Sequence, residues 1–255
     1  MIQFEVNREK CTQCGFCAED CPVHIIDMRG GWPHIAAERE ALCYRCQHCL
    51  AICPTGAISI LGRQPEDSLE LTGRLPSAEQ LETLIKGRRS VRRYQPQNLE
   101  PEVIRELLEV AWHAPTGVNA RQVRFTVIDD GEALARFRDE AYEGLARLVM
   151  EQKLPADKAF FADFLRSWRE KGVDVLFRGA PHLVVASAPR GAASPLPDCL
   201  IALAYFELYA QSKGLGTVWN GLARWTIEDL VPGLRRRLRI PEEHLFGYCM
   251  SFGRP

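Results

Sequence analysis

Cysteine and proline recur near the N-terminus on one repeated spacing. Cys11-x2-Cys14-x2-Cys17-x3-Cys21-Pro22 is followed by Cys43-x2-Cys46-x2-Cys49-x3-Cys53-Pro54. The residues after each proline correspond as well, Pro22-Val-His-Ile-Ile-Asp against Pro54-Thr-Gly-Ala-Ile-Ser. The stretch is an internal duplication, each half reading as a loop, a short helix and a strand.

The spacing has a chemical reason. Three thiolates on one tight C-x2-C-x2-C loop hold three irons of a cubane, and the fourth iron needs a ligand from elsewhere. In two-cluster ferredoxins that ligand is the Cys-Pro cysteine of the other half. Cluster one is then expected on Cys11, Cys14, Cys17 and Cys53, and cluster two on Cys43, Cys46, Cys49 and Cys21. A pair of zinc centres is the competing reading, but zinc sites use two cysteine pairs, not a triplet plus Cys-Pro given twice. The segment therefore reads as a bacterial-type ferredoxin with two [4Fe–4S] clusters. With cysteine filling all eight ligand positions, His24, His34 and His48 are read as surface residues or neighbours of the ligands. Cys199 and Cys249 lie in apolar segments and are expected to be buried and inert.

The chain has 255 residues, 46% hydrophobic and 25% charged, with a formal net charge of -1. These values suit one or two globular domains and give no global argument for a nucleic acid or membrane partner. No run approaches the ~18 apolar residues of a membrane span. The N-terminus enters the first cysteine motif without the basic-then-apolar order of a signal peptide. A cytoplasmic location is expected, where clustered cysteines bind metal more often than they pair.

Residues 1–61 are read as the ferredoxin domain, closed by a strand at Ile58-Ser-Ile-Leu, residues 62–75 as a polar linker, and residues 76–255 as a second domain. Ser77-x-x-Gln80 has the capping-box form, with Leu81, Leu84 and Ile85 at helical spacing before Gly87. Pro101 opens a helix with the stripe Ile104, Leu107, Leu108, Ala111 and Trp112. Strands are expected at Phe125–Ile128, His182–Ala188, Thr217–Trp219 and Leu245–Phe252. Helices are expected at Ala133–Met150 and at Leu200–Gln211, the latter apolar on nearly all sides and so buried or at a subunit interface. Strands alternating with helices make a layered α+β or α/β protein.

Three segments of this domain carry candidate chemistry. Gly87-Arg-Arg-Ser-Val-Arg-Arg-Tyr94 places four arginines just past a helix end, where guanidinium forks and the Ser90 hydroxyl match phosphate oxygens. Ala114-Pro-Thr-Gly-Val-Asn-Ala-Arg-Gln122 runs from a helix end into an amide-rich loop able to read a heterocycle edge. Gly214-Leu-Gly-Thr-Val-Trp-Asn-Gly221 lacks the third glycine of a dinucleotide fingerprint. It also follows a helix and precedes a strand, so a Rossmann site is excluded. Alone, the first two read as a solvated loop and a simple turn.

Taken in order, the three segments resemble the nitroreductase family of FMN-dependent oxidoreductases, over roughly Pro76 to Pro255. The whole chain resembles ferredoxin–nitroreductase fusions. The resemblance implies an α+β fold with a central, mostly antiparallel sheet flanked by helices, in a homodimer with FMN at the subunit interface. It implies that Arg88, Arg89, Ser90 and Arg92 hold the phosphate and ribityl chain. Pro115, Thr116, Gly117 and Asn119 would approach the flavin from the partner subunit. The backbone at Asn220, Gly221 and Leu222 would face the reactive edge of the ring. Arg121-Gln-Val stands where the family often has Gln-Pro-Trp, so Arg121 is not counted as a ligand. Arg254 is expected to stand in for the family's basic C-terminal tail.

The expected activity is reduction of a small conjugated acceptor, nitroaromatic- or quinone-like, by electrons entering through two [4Fe–4S] clusters and passing to FMN. Reduced ferredoxin or another low-potential donor is the expected electron source. A non-enzymatic relay subunit and another flavin reduction, such as reductive dehalogenation, are the alternatives. The aromatics Phe160, Phe161, Phe164, Trp168 and Phe177 read equally as a pocket wall or as helix packing. The run Arg235-Arg-Arg-Leu-Arg239 reads as a solvated helix face. No catalytic acid is assigned among His113, His182 and His244.

Overall fold

Each half of the cysteine repeat folds into a loop, one turn of helix and a two-residue strand. The computed structural model describes residues 1–255 as two compact units, Met1–Ser77 and Ala78–Pro255. In the first, β1 (Glu5–Val6) precedes α1 (Phe16–Glu19), β2 (Ile26–Asp27) and β3 (His34–Ile35), then α2 (His48–Ala51) and β4 (Ile58–Ser59). The outer strands β1 and β4 pair antiparallel, as do β2 and β3. So few residues bury only a small core, formed by Ile2, Ile25, Ile26, Leu50, Ile58 and Ile60 with Cys17. A domain with so little apolar interior needs other support, which structural metal commonly supplies. The polar stretch that follows turns at Pro65–Asp67, and Glu66 pairs with Lys10 at 3.1 Å.

The second unit opens with α3 (Ala78–Gly87) and α4 (Pro101–Trp112), Pro101 sitting in the first turn of its helix. Strand β5 (Arg124–Ile128) leads to α5 (Gly131–Met150), capped by the Asp130 side chain, which accepts the Ala133 N–H at 2.8 Å. Then come α6 (Phe161–Lys171), β6 (His182–Pro189) and α7 (Pro195–Ser212). β7 (Gly216–Trp219), α8 (Gly221–Trp225), α9 (Gly233–Arg237) and β8 (His244–Gly253) complete the fold. The four strands form one sheet in the order β5-β6-β8-β7, every pair antiparallel. This is an α+β fold with an antiparallel sheet flanked by helices.

The long apolar run of β6 follows from its central place. Its alternate residues bury into opposite layers: Leu183 and Val185 join the core with α5 and α6, and Val184, Ala186 and Ala188 join the core with α4 and α7. Both faces are covered, so the hydrophobic alternation of a half-exposed strand disappears. Helix α7 is apolar nearly all round for the same reason, with Ala202, Leu203, Phe206 and Ala210 buried. Its contact with β8 is close: a Cβ on Gly247 would lie 2.3 Å from Cβ of Cys199. Leu196, Ile201 and Tyr205 on α7 remain exposed, as does Trp112 at the end of α4. No helix is long and apolar enough to cross a membrane.

Candidate functional site: two cysteine cavities and a glycine–arginine edge

The cysteine loops wrap because residues between the cysteines turn left-handed. Gln13 (φ 57°) and Gly15 (φ 82°) do so in the first repeat, Arg45 (φ 53°) and Gln47 (φ 60°) at the equivalent places in the second. Three of these are not glycine and carry a conformational cost that a packed or ligated loop must offset. The result groups the thiols by fours. Cys11, Cys14, Cys17 and Cys53 line one small cavity. Cys21, Cys43, Cys46 and Cys49 line another. Each cavity thus draws three sulfurs from one repeat and the fourth from the Cys-Pro of the other. No three His, Cys, Asp or Glu side chains converge on a single-ion site.

Burial makes two of these thiols hard to ionise unaided. Burial, aided by the neighbouring Cys53 and Cys14, pushes Cys17 up to about 11. Burial likewise pushes Cys49 up to about 12. At Cys53 burial also acts upward, but backbone N–H groups of Ala57 and Thr55 outweigh it and hold the thiol below its ordinary value. The Ala57 N–H donates to Cys53 Sγ at 3.2 Å, and the Arg45 N–H to Cys43 Sγ at 3.4 Å. Such hydrogen bonds to ligand sulfur are among the groups that tune a cluster's potential. His24, His34 and His48 are exposed, and His48 Nε2 lies 2.8 Å from Asp20 Oδ2.

In the second unit the arginine segment runs beside the edge strand β7. Ser90 bridges Thr217, and the Val91 N–H donates to the Thr217 carbonyl at 2.8 Å. Gly216 is required there, since a Cβ would lie 2.7 Å from the Val91 side chain. Tyr94 Oη donates to the Val91 carbonyl at 2.7 Å, and Gln95 N–H to the Arg254 carbonyl at 2.9 Å, which brings the C-terminal residues to the same edge. Arg88 Nη1 reaches Oε1 of the buried Glu207 at 3.1 Å. Arg89 turns back onto the carbonyls of Lys86 and Arg88, at 2.7 and 2.8 Å, closing the end of α3. Arg92 Nη1 lies 3.4 Å from the Ser90 carbonyl.

At the far end of β7, Asn220 caps α8. Its Oδ1 accepts the Ala223 N–H, and its Nδ2 donates to the Leu176 carbonyl and to Ser251 Oγ, each at 2.9 Å. The side chain is therefore committed to the fold, and what remains open to a ligand is the backbone of Gly221 and Leu222. Those N–H groups lie in the first turn of α8 and have no carbonyl within their helix. A Cβ on Gly221 would lie 3.0 Å from Tyr248 Oη.

The loop after α4 is also held by α7. The Gly117 N–H donates to Oδ1 of the buried Asp198 at 3.0 Å, and the Arg121 N–H to Thr116 Oγ1 at 3.0 Å. Val118 and Asn119 turn left-handed, which leaves Val118 exposed. Pro115 is exposed, Thr116 and Gly117 partly so. This loop belongs to the same unit as the β7 edge.

Other sequence expectations divide. Phe161 and Phe177 are buried in the core beneath α6, while Phe160 is exposed and meets Trp225 edge-on at 6.4 Å. The arginine run is not wholly solvated: Arg235 binds both carboxylate oxygens of Glu228 and donates to the carbonyls of Pro241 and His244. His182 and His244 are buried, engaged with the Leu99 N–H and Ser187 Oγ. Cys199 and Cys249 are fully buried, and burial pushes both thiols up. Glu207 had one sequence signal, a glutamate inside the most apolar stretch of the chain.

Comparison with known proteins agrees with both halves. The "Nitroreductase family" model matches residues 85–254, and the "4Fe-4S dicluster domain" model matches residues 10–57. The chain is 28% identical over 142 residues to an iodotyrosine deiodinase of Thermotoga neapolitana, covering 53% of this chain and 70% of that protein. It is 27% identical over 217 residues to a 4-nitrobenzoate reductase of Nocardioides sp., covering 74% and 86%. In fold it resembles a nitroreductase with bound FMN from Bacteroides fragilis, with TM-score 0.55 and 24% identity over 68% of this chain and 87% of that one.

Proposed function

The chain belongs to the nitroreductase family, preceded by a 4Fe–4S dicluster domain; from that premise we propose that it reduces a small conjugated acceptor at FMN with electrons received through two [4Fe–4S] clusters. The grouping of the cysteines into two four-thiol cavities, each drawing on both repeats, carries this reading. The donor set fits: four soft thiol ligands per cavity, with backbone N–H groups aimed at sulfur. Cys11, Cys14, Cys17 and Cys53 would hold one cluster, and Cys43, Cys46, Cys49 and Cys21 the other. Burial favours the protonated form of Cys17 and Cys49, so cluster binding there would be coupled to release of their protons.

The β7 edge fits a flavin. Backbone without a side chain at Gly221 permits close approach, and the Arg88–Arg92 segment supplies cations and N–H groups for a phosphate. Arg88, Ser90 and Arg92 would hold the phosphate and ribityl chain. Arg89 is spent largely on the helix end, which leaves it a lesser part. The Gly221 and Leu222 N–H groups would donate to the reactive edge of the ring, and Asn220 orients them through its cap. The exposed Trp112, Val118, Leu196, Ile201 and Tyr205 support a homodimer in which Pro115, Thr116, Gly117 and Asn119 of a second copy cover the flavin. Arg254 lies at the same edge through its carbonyl bond to Gln95.

When bound, clusters supply one-electron transfer, and a flavin supplies exchange between one- and two-electron chemistry. The polypeptide's contribution is to fix positions, and covalent linkage of the two units replaces a diffusional encounter with a donor protein. Phe160 and Trp225, in edge contact and on or near α8, are suited to stacking a flat acceptor. The test is composition of the anaerobically purified chain. About eight irons, about eight acid-labile sulfides and about one FMN per chain are expected; zinc in place of iron, or no flavin released by acid, contradicts the reading.

A further inference from the structure

Glu207 is an ionisable residue where the rest of the helix face is apolar. It lies on α7 beside the buried Leu203, Phe206 and Ala210 and is itself buried. Its Oε1 accepts from Arg88 Nη1 at 3.1 Å and from Thr217 Oγ1 at 3.3 Å, and its Oε2 accepts from Trp219 Nε1 at 3.0 Å. Removing a carboxylate from water is costly unless its lone pairs are met, and three donors from two other segments meet them here. An apolar side chain would pack α7 without that demand, so the arrangement calls for a purpose beyond packing.

The partners indicate the purpose. Thr217 and Trp219 belong to β7, whose end carries Asn220 and Gly221, while Arg88 heads the arginine segment. One carboxylate therefore ties the arginine segment to the strand that leads to the Gly221 N–H. An arginine side chain loses considerable rotamer freedom on binding a ligand, and pinning it beforehand removes part of that loss. Arg88 uses one N–H on Glu207 and keeps the rest of its fork for another acceptor. Arg89 and Arg92 have only local carbonyl partners, so Arg88 alone of the three is fixed from a distant element.

We infer that Glu207 is a positioning residue for flavin phosphate recognition: held by Thr217 and Trp219, it aims the Arg88 guanidinium at the phosphate. This rests on the reading of Arg88–Arg92 as the phosphate segment. The pair is neutral overall, so its contribution is direction rather than net charge. A purely repulsive role for Glu207, opposing the phosphate, makes the opposite prediction.

The experiment measures FMN and riboflavin binding to the full chain after its flavin has been removed, by quenching of flavin fluorescence, in wild type, E207Q, R88M and the double variant. In E207Q the negative charge is lost and the amide NH2 faces either Arg88 and Thr217 or Trp219, so the tie between Arg88 and β7 is broken on one side. Expected results are an FMN Kd raised at least tenfold in E207Q, an unchanged riboflavin Kd, and no further loss when E207Q is added to R88M. Thr217→Val, which removes one tether and leaves the carboxylate, is expected to weaken FMN about threefold and leave riboflavin unchanged. Equal loss of both flavins in E207Q and T217V, additive losses in the double variant, or tighter FMN binding in E207Q would each overturn the inference. A wild-type chain that takes up neither flavin would instead defeat the flavin reading itself.

Discussion

Replacing Asn220 tests whether the β7–α8 junction is built as described. Its side chain makes three buried bonds at 2.9 Å: one caps α8 through Ala223, and two bind the Leu176 carbonyl and Ser251 Oγ. Loss of a cap costs ~1 kcal/mol. Each of the other bonds contributes ~1 kcal/mol net, and more where a buried carbonyl is left without a donor. Asn220→Ala should therefore destabilise the second unit by about 3 kcal/mol, which for a domain of this size lowers Tm by about 6–12 °C. Asn220→Asp keeps the cap acceptor but turns an oxygen toward the Leu176 carbonyl. It should be at least as unstable at neutral pH and should recover stability in acid, when the protonated carboxyl regains a donor. Anaerobic thermal melts of the full chain followed by circular dichroism read both effects. A loss below about 1 kcal/mol in N220A, or no acid recovery in N220D, refutes the geometry.

Three further expectations follow from the packing and the cavities. Gly247→Ala places a Cβ 2.3 Å from Cβ of Cys199 and 2.9 Å from the Ala186 carbonyl, and should cost about 2–3 kcal/mol in denaturant midpoints as an overpacked contact; a neutral outcome means that α7 and β8 are farther apart. Burial holds His182 below its ordinary value of 6.5, so the unfolded chain takes up that proton first. Its contribution to stability is unaffected above pH 6.5 and declines as pH falls toward the folded value, by at most about 1.4 kcal/mol per pH unit. His182→Gln should make the acid limb shallower while His244 retains its own part, and an unaltered slope would exclude this. Among the cysteines, C11S/C53S should retain about four irons per chain and C49S/C53S almost none, because crossed ligation puts the second pair on different clusters; the reverse ranking would mean that each repeat serves its own cluster.

Local patterns made much of this fold legible. The Cys-Pro duplication shows its own period, and the apolar spacings of Ile104, Leu107 and Ala111 mark α4 because only a helix puts them on one face. β6 and α7 were readable as buried because their runs lack alternation or an exposed stripe. What escaped depends on contacts between remote residues. Glu207 acquires its meaning from Arg88, far away in the chain, and from Trp219 on the next strand, and nothing beside it announces them. Arg235 sits inside a run of arginines that looks solvated, yet Glu228 and two carbonyls fix it. Asn220 could be placed at the site by motif, but its commitment to Leu176 and Ser251 is a tertiary fact. The residues 226–230, wound as a π-turn after α8, have no local signature that separates them from ordinary helix.

The central claim is that the cysteine unit feeds electrons to a flavin that hands them to a conjugated acceptor. Anaerobic titration of the full chain with a low-potential chemical reductant, followed in the visible spectrum, tests it most directly. The account predicts uptake of about four electrons per chain, two by clusters and two by flavin, and prompt return of both signals to the oxidised spectrum on adding a nitroaromatic or a quinone. A flavin that stays oxidised while the clusters bleach, or a fully reduced chain that holds its electrons against every such acceptor, would contradict it.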